Sequence, residues 1–109
     1  MRRFNRDRYT DGKVYHVRKK EVHAFRAYWK YCKWAMGRLE ALNENGEQNE
    51  DLNNLENTLR WIEVIGKEVV AGVVLGRHYE AYLNLKKRML KNAWKLRLVQ
   101  GVDVTTILG

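Results

Sequence analysis

The sequence contains no proline, no serine and only one cysteine, and each shortage excludes a class of structure or chemistry. Without proline, nothing in the chain forces a kink inside a helix. Without serine, a serine nucleophile is excluded. Cys32 has no partner for an internal disulfide, so the fold does not depend on an oxidising compartment.

Long apolar runs are also missing. The longest unbroken run of apolar and glycine residues, 69–76, is far shorter than the about 20 residues that span a bilayer. The first residues are polar and basic, and they lack the apolar segment of a secretory signal. We therefore expect no membrane span and a cytoplasmic location.

What the chain does contain fits one globular unit. It has 109 residues, of which 45% are hydrophobic and 31% are charged, so wholesale disorder is not expected. Residues 1–12 are basic and end in a Thr-Asp-Gly turn signal. We expect residues 1–12 to form a flexible arm and residues 13–109 a single helical domain.

The net charge of +8 is unevenly distributed. Residues 1–38 carry 12 Lys/Arg against 3 Asp/Glu, residues 39–80 carry 3 against 9, and residues 81–109 carry 6 against 1. The acidic middle could neutralise the basic ends within the fold, but it leaves the surplus of +8 unexplained. This surplus indicates a polyanionic partner.

Helical periodicity dominates the pattern. Between about 18 and 42, apolar residues recur at alternating spacings of three and four, which is typical of an amphipathic helix. They are Val22, Phe25, Trp29, Cys32, Met36 and Leu39. The spacing leaves Tyr31 on the polar side. We therefore expect an all-α fold, a small helical bundle of antiparallel amphipathic helices, although the same seam would also suit a homodimer.

Two further helices follow. One begins near Asn49 with the stripe Leu52, Leu55, Leu59 and Ile62. From Ile65 to Gly76 its polar face nearly disappears, so this stretch is either a buried helix, which we favour, or a strand. The last helix runs from about 77 to 99 with Gly101 as its C-cap. Before the first helix, residues 13–17 suit a short strand or a lead-in to the helix.

The first helix also carries a basic row beside its apolar stripe. Its members are Lys19, His23, Arg26, Lys30 and Lys33, at spacings of four and three. Lys20 adds charge at the helix start, and Trp34 lies just beyond the row. Cations in a row can follow phosphates, and an adjacent aromatic ring can stack on a base. The alternative is a solvated face with Trp34 covered.

The last helix has a second basic face. It comprises Arg77, Arg88, Lys91 and Lys95, with Lys87 at its edge, opposite Tyr82, Leu85, Met89 and Leu96. The spacing of Gly72, Gly76 and Tyr82 also suits a helix-turn-helix in the C-terminal half. Its second helix would present these residues to a major groove: Tyr79, Glu80, Leu83, Asn84 and Lys87. Against this motif, Arg77 stands where an apolar residue is usual.

Catalytic patterns are absent from the sequence. The three histidines and Cys32 lack metal-ligand spacing, and there is no glycine-rich phosphate loop. Cys32 lies in the apolar stripe, where a cysteine usually acts as a small core residue. We expect no enzyme, no metal and no cofactor.

The combined pattern predicts a small accessory or regulatory protein that binds DNA or RNA. Phosphates would be contacted by the basic row, by the second basic face and by Arg2 and Arg3 of the arm. The alternative is a helical interaction module or inhibitor that docks on a protein complex, which itself could handle nucleic acid. A third reading is an amphipathic helix at a membrane surface, since residues 18–39 combine cations with Trp and Phe.

Overall fold

A computed structural model of the chain describes residues 13–42 and 50–108. Most of these residues lie in helices. In chain order the elements are β1 (Val14–His16), α1 (Lys19–Leu42), α2 (Glu50–Ala71), β2 (Val73–Leu75), α3 (Gly76–Lys91), α4 (Ala93–Gln100) and α5 (Val104–Leu108). The expected all-α fold, a small helical bundle, is confirmed.

A two-stranded ribbon closes the hairpin of α1 and α2. Strand β1 precedes α1 and pairs antiparallel with β2, which follows α2, in the register Val14↔Leu75 to His16↔Val73. Since the two helices also pack together, they run antiparallel. The chain turns from α2 into β2 at Gly72, whose φ of 87° favours glycine, and the Gly72 carbonyl accepts the Val17 N–H at 2.8 Å.

Helix α1 is buried over a wider arc than its apolar stripe predicts. Phe25 and Cys32 are fully buried, as predicted, and Ala24, Tyr28 and Tyr31 are buried as well. The prediction that Tyr31 lies on the polar side is therefore wrong. The reason is that α1 packs against α2 and also against α4 and α5, so that a second side of the helix is covered.

Two predicted helices have different bounds in the structure. Residues 65–76 do not continue as one helix, because α2 ends at Ala71 and β2 follows. The predicted last helix is broken at Asn92, whose N–H bonds to the carbonyls of Arg88 and Met89. Gly101 ends α4 with a φ of 68°, as predicted.

The helix-turn-helix spacing predicts a turn between α2 and α3. In the structure the extended strand β2 connects these two helices. Glu68 links the two helices across it, because its carboxylate accepts the Leu75 N–H at 2.8 Å and lies 2.6 Å from Nδ1 of His78. Tyr82, the third residue of that spacing, is buried in the core.

The core lies where α1, α2 and α3 meet, and α4 and α5 close one side of it. Of the core stripe predicted for the last helix, Tyr82, Leu85, Met89 and Leu96 are buried, and Ala93 is partly buried. Ile62, Ile65 and Val69 are buried on α2, and Val102 and Val104 are buried in the tail. Because this packing covers only parts of α1 and α3, charged faces of both helices remain exposed.

Candidate functional site

The basic row of α1, as defined above by Lys19, His23, Arg26, Lys30 and Lys33, is exposed along its whole length. From Lys19 to Lys33 it covers about 21 Å of helix axis, at about 1.5 Å per residue. No ion pair among the described residues involves a member of the row. The lysines and arginines of the row therefore present positive charge to solvent with no ion-pair partner among the residues that the structure describes.

Two nearby cations contrast with the row because they are paired. Glu21 is buried, and its carboxylate contacts Arg18 at 3.1 Å and Lys86 at 3.3 Å, while the Tyr82 hydroxyl donates to it at 2.9 Å. Burial alone would raise the pKa of Glu21, but these partners outweigh burial and lower it. Arg18 and Lys86 are thus paired with a buried carboxylate, whereas no described ion pair involves the basic row.

The row borders a shallow hollow of about 330 Å³ on the side of α2. Arg26, Lys30 and Lys33 line it together with Trp29 and Val70. The ammonium of Lys33 lies 5.0 Å from the centroid of the Trp29 ring. A cation close to an indole face is favourable, so the Trp29 ring stabilises the position of Lys33 at this edge of the row.

On the other side of α1 lies a larger concavity, which we call the Trp34 cleft, with a volume of about 410 Å³. Residues from α1, α2, α3 and α4 line it. They are Tyr28, Tyr31, Trp34, Ala35, Arg38, Leu39, Asn54, Leu55, Thr58, Arg88, Asn92 and Lys95. No described residue that lines the cleft is acidic.

The aromatic wall of the cleft comes from α1. Trp34 is 47% exposed, and the ring centroid of Tyr31 lies 6.0 Å from it at an interplanar angle of 38°. The guanidinium carbon of Arg38 lies 5.3 Å from the Trp34 ring centroid. An indole with an exposed surface and a neighbouring cation can stack on a planar anionic group.

The opposite wall is organised around Arg88. The Thr58 hydroxyl accepts a bond from Nη1 of Arg88 at 2.8 Å and donates to the Asn54 carbonyl at 2.8 Å. Asn92 donates through Nδ2 to the Arg88 carbonyl at 2.8 Å. A guanidinium has five N–H donors, and the one side-chain hydrogen bond of Arg88 within residues 13–42 and 50–108 goes to Thr58, so Arg88 is held in place with further donors directed at no described acceptor.

Beneath this wall lies Cys32, which is fully buried next to Tyr28. Burial raises the pKa of the Cys32 thiol to about 12. At neutral pH the side chain is therefore a thiol and not a nucleophilic thiolate, as its position in the apolar stripe indicated.

A second groove of about 310 Å³ adjoins the cleft, and Thr58 and Arg88 line both. Trp61, which is 50% exposed, and Arg77 lie in this groove with Asn84. Glu80 also lines it and lowers its positive charge. Of the residues predicted to face a major groove, Asn84 and Lys87 are exposed, whereas the Tyr79 ring stacks on Tyr15 at 3.8 Å.

The structure distributes the predicted nucleic-acid-binding residues over these surfaces. Arg26, Lys30 and Lys33 line the hollow, Trp34, Arg88 and Lys95 line the cleft, and Arg88 and Asn84 line the groove. Lys19, Lys20, Lys87 and Lys91 are exposed, and none of them lines these concavities. Arg2 and Arg3 lie outside the described residues.

Sequence reasoning missed Arg38, Tyr31 and Asn92 as parts of the cleft. A signal for Arg38 was present, because Lys30, Trp34 and Arg38 follow one another at spacings of four and so share one side of α1. No comparable signal exists for Asn92 or Thr58, because they reach the cleft only through the packing of α2 and α3 on α1.

No known protein family, curated protein or solved structure matches the chain. Within the described residues, no helix is long and apolar enough to cross a membrane. The same residues contain no group of three His, Cys, Asp or Glu side chains that could hold a metal ion.

Proposed function

We propose that this chain is a small accessory protein that binds nucleic acid, with phosphates held along the basic row of α1. The observation that carries the proposal is the exposure of the row combined with the absence of any ion pair to it among the described residues. Free cations in a regular line attract the phosphate backbone and release its counterions.

The dimensions of the row agree with this role. Its length of about 21 Å corresponds to roughly six nucleotides of one duplex strand, at about 3.4 Å each. Trp29 and Trp34 flank the row on its two sides, and both have a cation near the ring. The second basic face, at Arg88 and Lys95, would extend the contact across the cleft.

Salt dependence tests the proposal. A labelled duplex should bind with an affinity whose logarithm falls linearly with log salt, with a slope of about −0.9 per neutralised phosphate. Four to six contacts imply a slope of about −4 to −5. Titrations by fluorescence anisotropy at several salt concentrations, with duplex DNA, single-stranded DNA and RNA, measure this slope. Absence of binding at low salt would refute the proposal.

A second candidate is a protein-interaction module. The observation that favours it is an exposed apolar pair on α4, where Trp94 is 65% exposed and Leu98 is 76% exposed one helical turn later. This function predicts a partner whose binding depends on the Trp94 and Leu98 side chains and changes little with salt. The same titrations distinguish it from the first candidate.

A further inference from the structure

Resting on this proposed function, the Trp34 cleft carries a more specific inference about the ligand. The basic row is a convex surface and treats all phosphates alike. The cleft is concave, and its volume of about 410 Å³ lies within the usual range for sites that enclose a small molecule. A site of this shape selects by the chemistry of its walls.

Those walls combine a ring surface with fixed cations. Trp34 offers the stacking surface, Arg38 supplies positive charge beside its ring, and Arg88 supplies positive charge from α3 in the same cleft. Thr58 holds Arg88 in place before any ligand arrives. A preorganised guanidinium is well suited to a phosphate oxygen, and Asn92 lies beside it as an amide able to meet a base edge.

A nucleobase with its phosphate has this combination of features, provided that the base is unpaired. In a duplex both faces of each base are covered by stacking, so a base must be free to enter a pocket and stack on an aromatic side chain. Lys30 precedes Trp34 by one helical turn, so a strand held by the row is led to the entrance of the cleft.

We propose that the Trp34 cleft binds one unpaired nucleobase and its phosphate, so that the chain prefers single-stranded nucleic acid. The row then supplies affinity for any strand, and the cleft supplies the preference. Arg38 and Arg88 contact the phosphate, and Trp34 stacks on the base.

The test compares a fluorescein-labelled 12-nucleotide single strand with the 12-base-pair duplex of the same sequence at one salt concentration. Trp34→Ala should weaken single-strand binding roughly 5- to 150-fold, the range for loss of one stacked base, and change duplex binding less than twofold. Trp34→Phe should recover most of the loss, because it keeps an aromatic ring. Val64→Ala, which removes an exposed apolar side chain outside the cleft, should change neither.

The outcomes separate the two proposals. Binding of both probes that is insensitive to Trp34→Ala, in a variant with unchanged circular dichroism, would overturn the cleft assignment and leave the basic row intact. If the wild-type chain binds neither the single strand nor the duplex, the proposed nucleic-acid-binding function itself is refuted. A nucleoside monophosphate that displaces the strand at equal concentration would show that the cleft takes a free nucleotide, which would overturn the preference for a strand.

Discussion

The basic row and the Trp34 cleft lie on neighbouring sides of α1, yet they are built in different ways. The row comes from one helix, whose residues would present the same charges if the helix were isolated. The cleft needs α1, α2, α3 and α4 at once, because Trp34, Thr58, Arg88 and Lys95 meet only in the folded chain. Charge can therefore be predicted along a single helix, whereas a binding pocket depends on tertiary packing.

Reversal of the row should give the largest effect on binding. Replacing Lys19, Arg26, Lys30 and Lys33 together with glutamate turns four attractions into repulsions. We expect affinity for duplex and single strand to fall roughly a thousandfold or more, since single phosphate contacts act cumulatively. Stability should change little, because exposed substitutions usually cost within about 0.5 kcal/mol each.

The matched control for this reversal replaces four other exposed cations with glutamate, so that the net charge changes by the same amount. They lie outside the row and the concavities and are Lys13, Arg60, Lys67 and Arg97. The control should leave binding within a few-fold of the wild type when both variants are titrated at the same salt concentration. An equal loss of affinity in the two variants would mean that only the net charge determines binding. The basic row would then be no more a binding surface than the other exposed cations.

The paired cations beside the row provide the next comparison. Glu21→Gln should lower the free energy of unfolding by roughly 1.5–3 kcal/mol at pH 7, the range for hydrogen bonds to charged groups, while nucleic-acid binding stays intact. Because the partners of Glu21 hold its pKa below the usual value, its charge stabilises the fold at neutral pH. This stabilisation is lost as the pH falls from about 4.3 through the lowered pKa.

Urea unfolding of wild type and Glu21→Gln between pH 7 and pH 3 measures this effect. The stability difference between them should be constant at neutral pH and should shrink on acidification. A difference that grows as the pH falls would contradict the assigned direction of the pKa shift.

The smallest expected effect concerns the placement of Arg88. Thr58→Val keeps the shape of the side chain but removes the hydroxyl that accepts from Nη1 of Arg88. We expect a stability loss of about 1 kcal/mol, typical of one hydrogen bond, and a few-fold loss of single-strand affinity with unchanged duplex affinity. Thr58→Ser retains the hydroxyl and should restore both.

Thermal unfolding and paired anisotropy titrations measure the two effects of Thr58→Val. A loss of stability without any change in the preference for a single strand would make Thr58 a purely structural residue and would weaken the role of Arg88 in the cleft.

The sequence predicted α1 well and the cleft poorly, for physical reasons. The alternating spacing from Val22 to Leu39 depends only on helical geometry, so it located the helix and its exposed cations. The burial of Tyr31 depends on the packing of other helices on α1, which no local pattern encodes. Neither proline nor glycine marks the break at Asn92. Asparagine is only a weak helix former, so the sequence gives little indication that the helix ends there.

The position of Cys32 has a practical consequence for measurement. The single thiol of the chain is fully buried behind the cleft, and its raised pKa suppresses the reactive thiolate. A thiol reagent can therefore modify Cys32 only when the surrounding helices open, so the labelling rate measures local opening. A ligand that binds only the closed form lowers the labelling rate in proportion to its occupancy. The wild-type chain thus carries its own probe of binding, with no label attached to the protein.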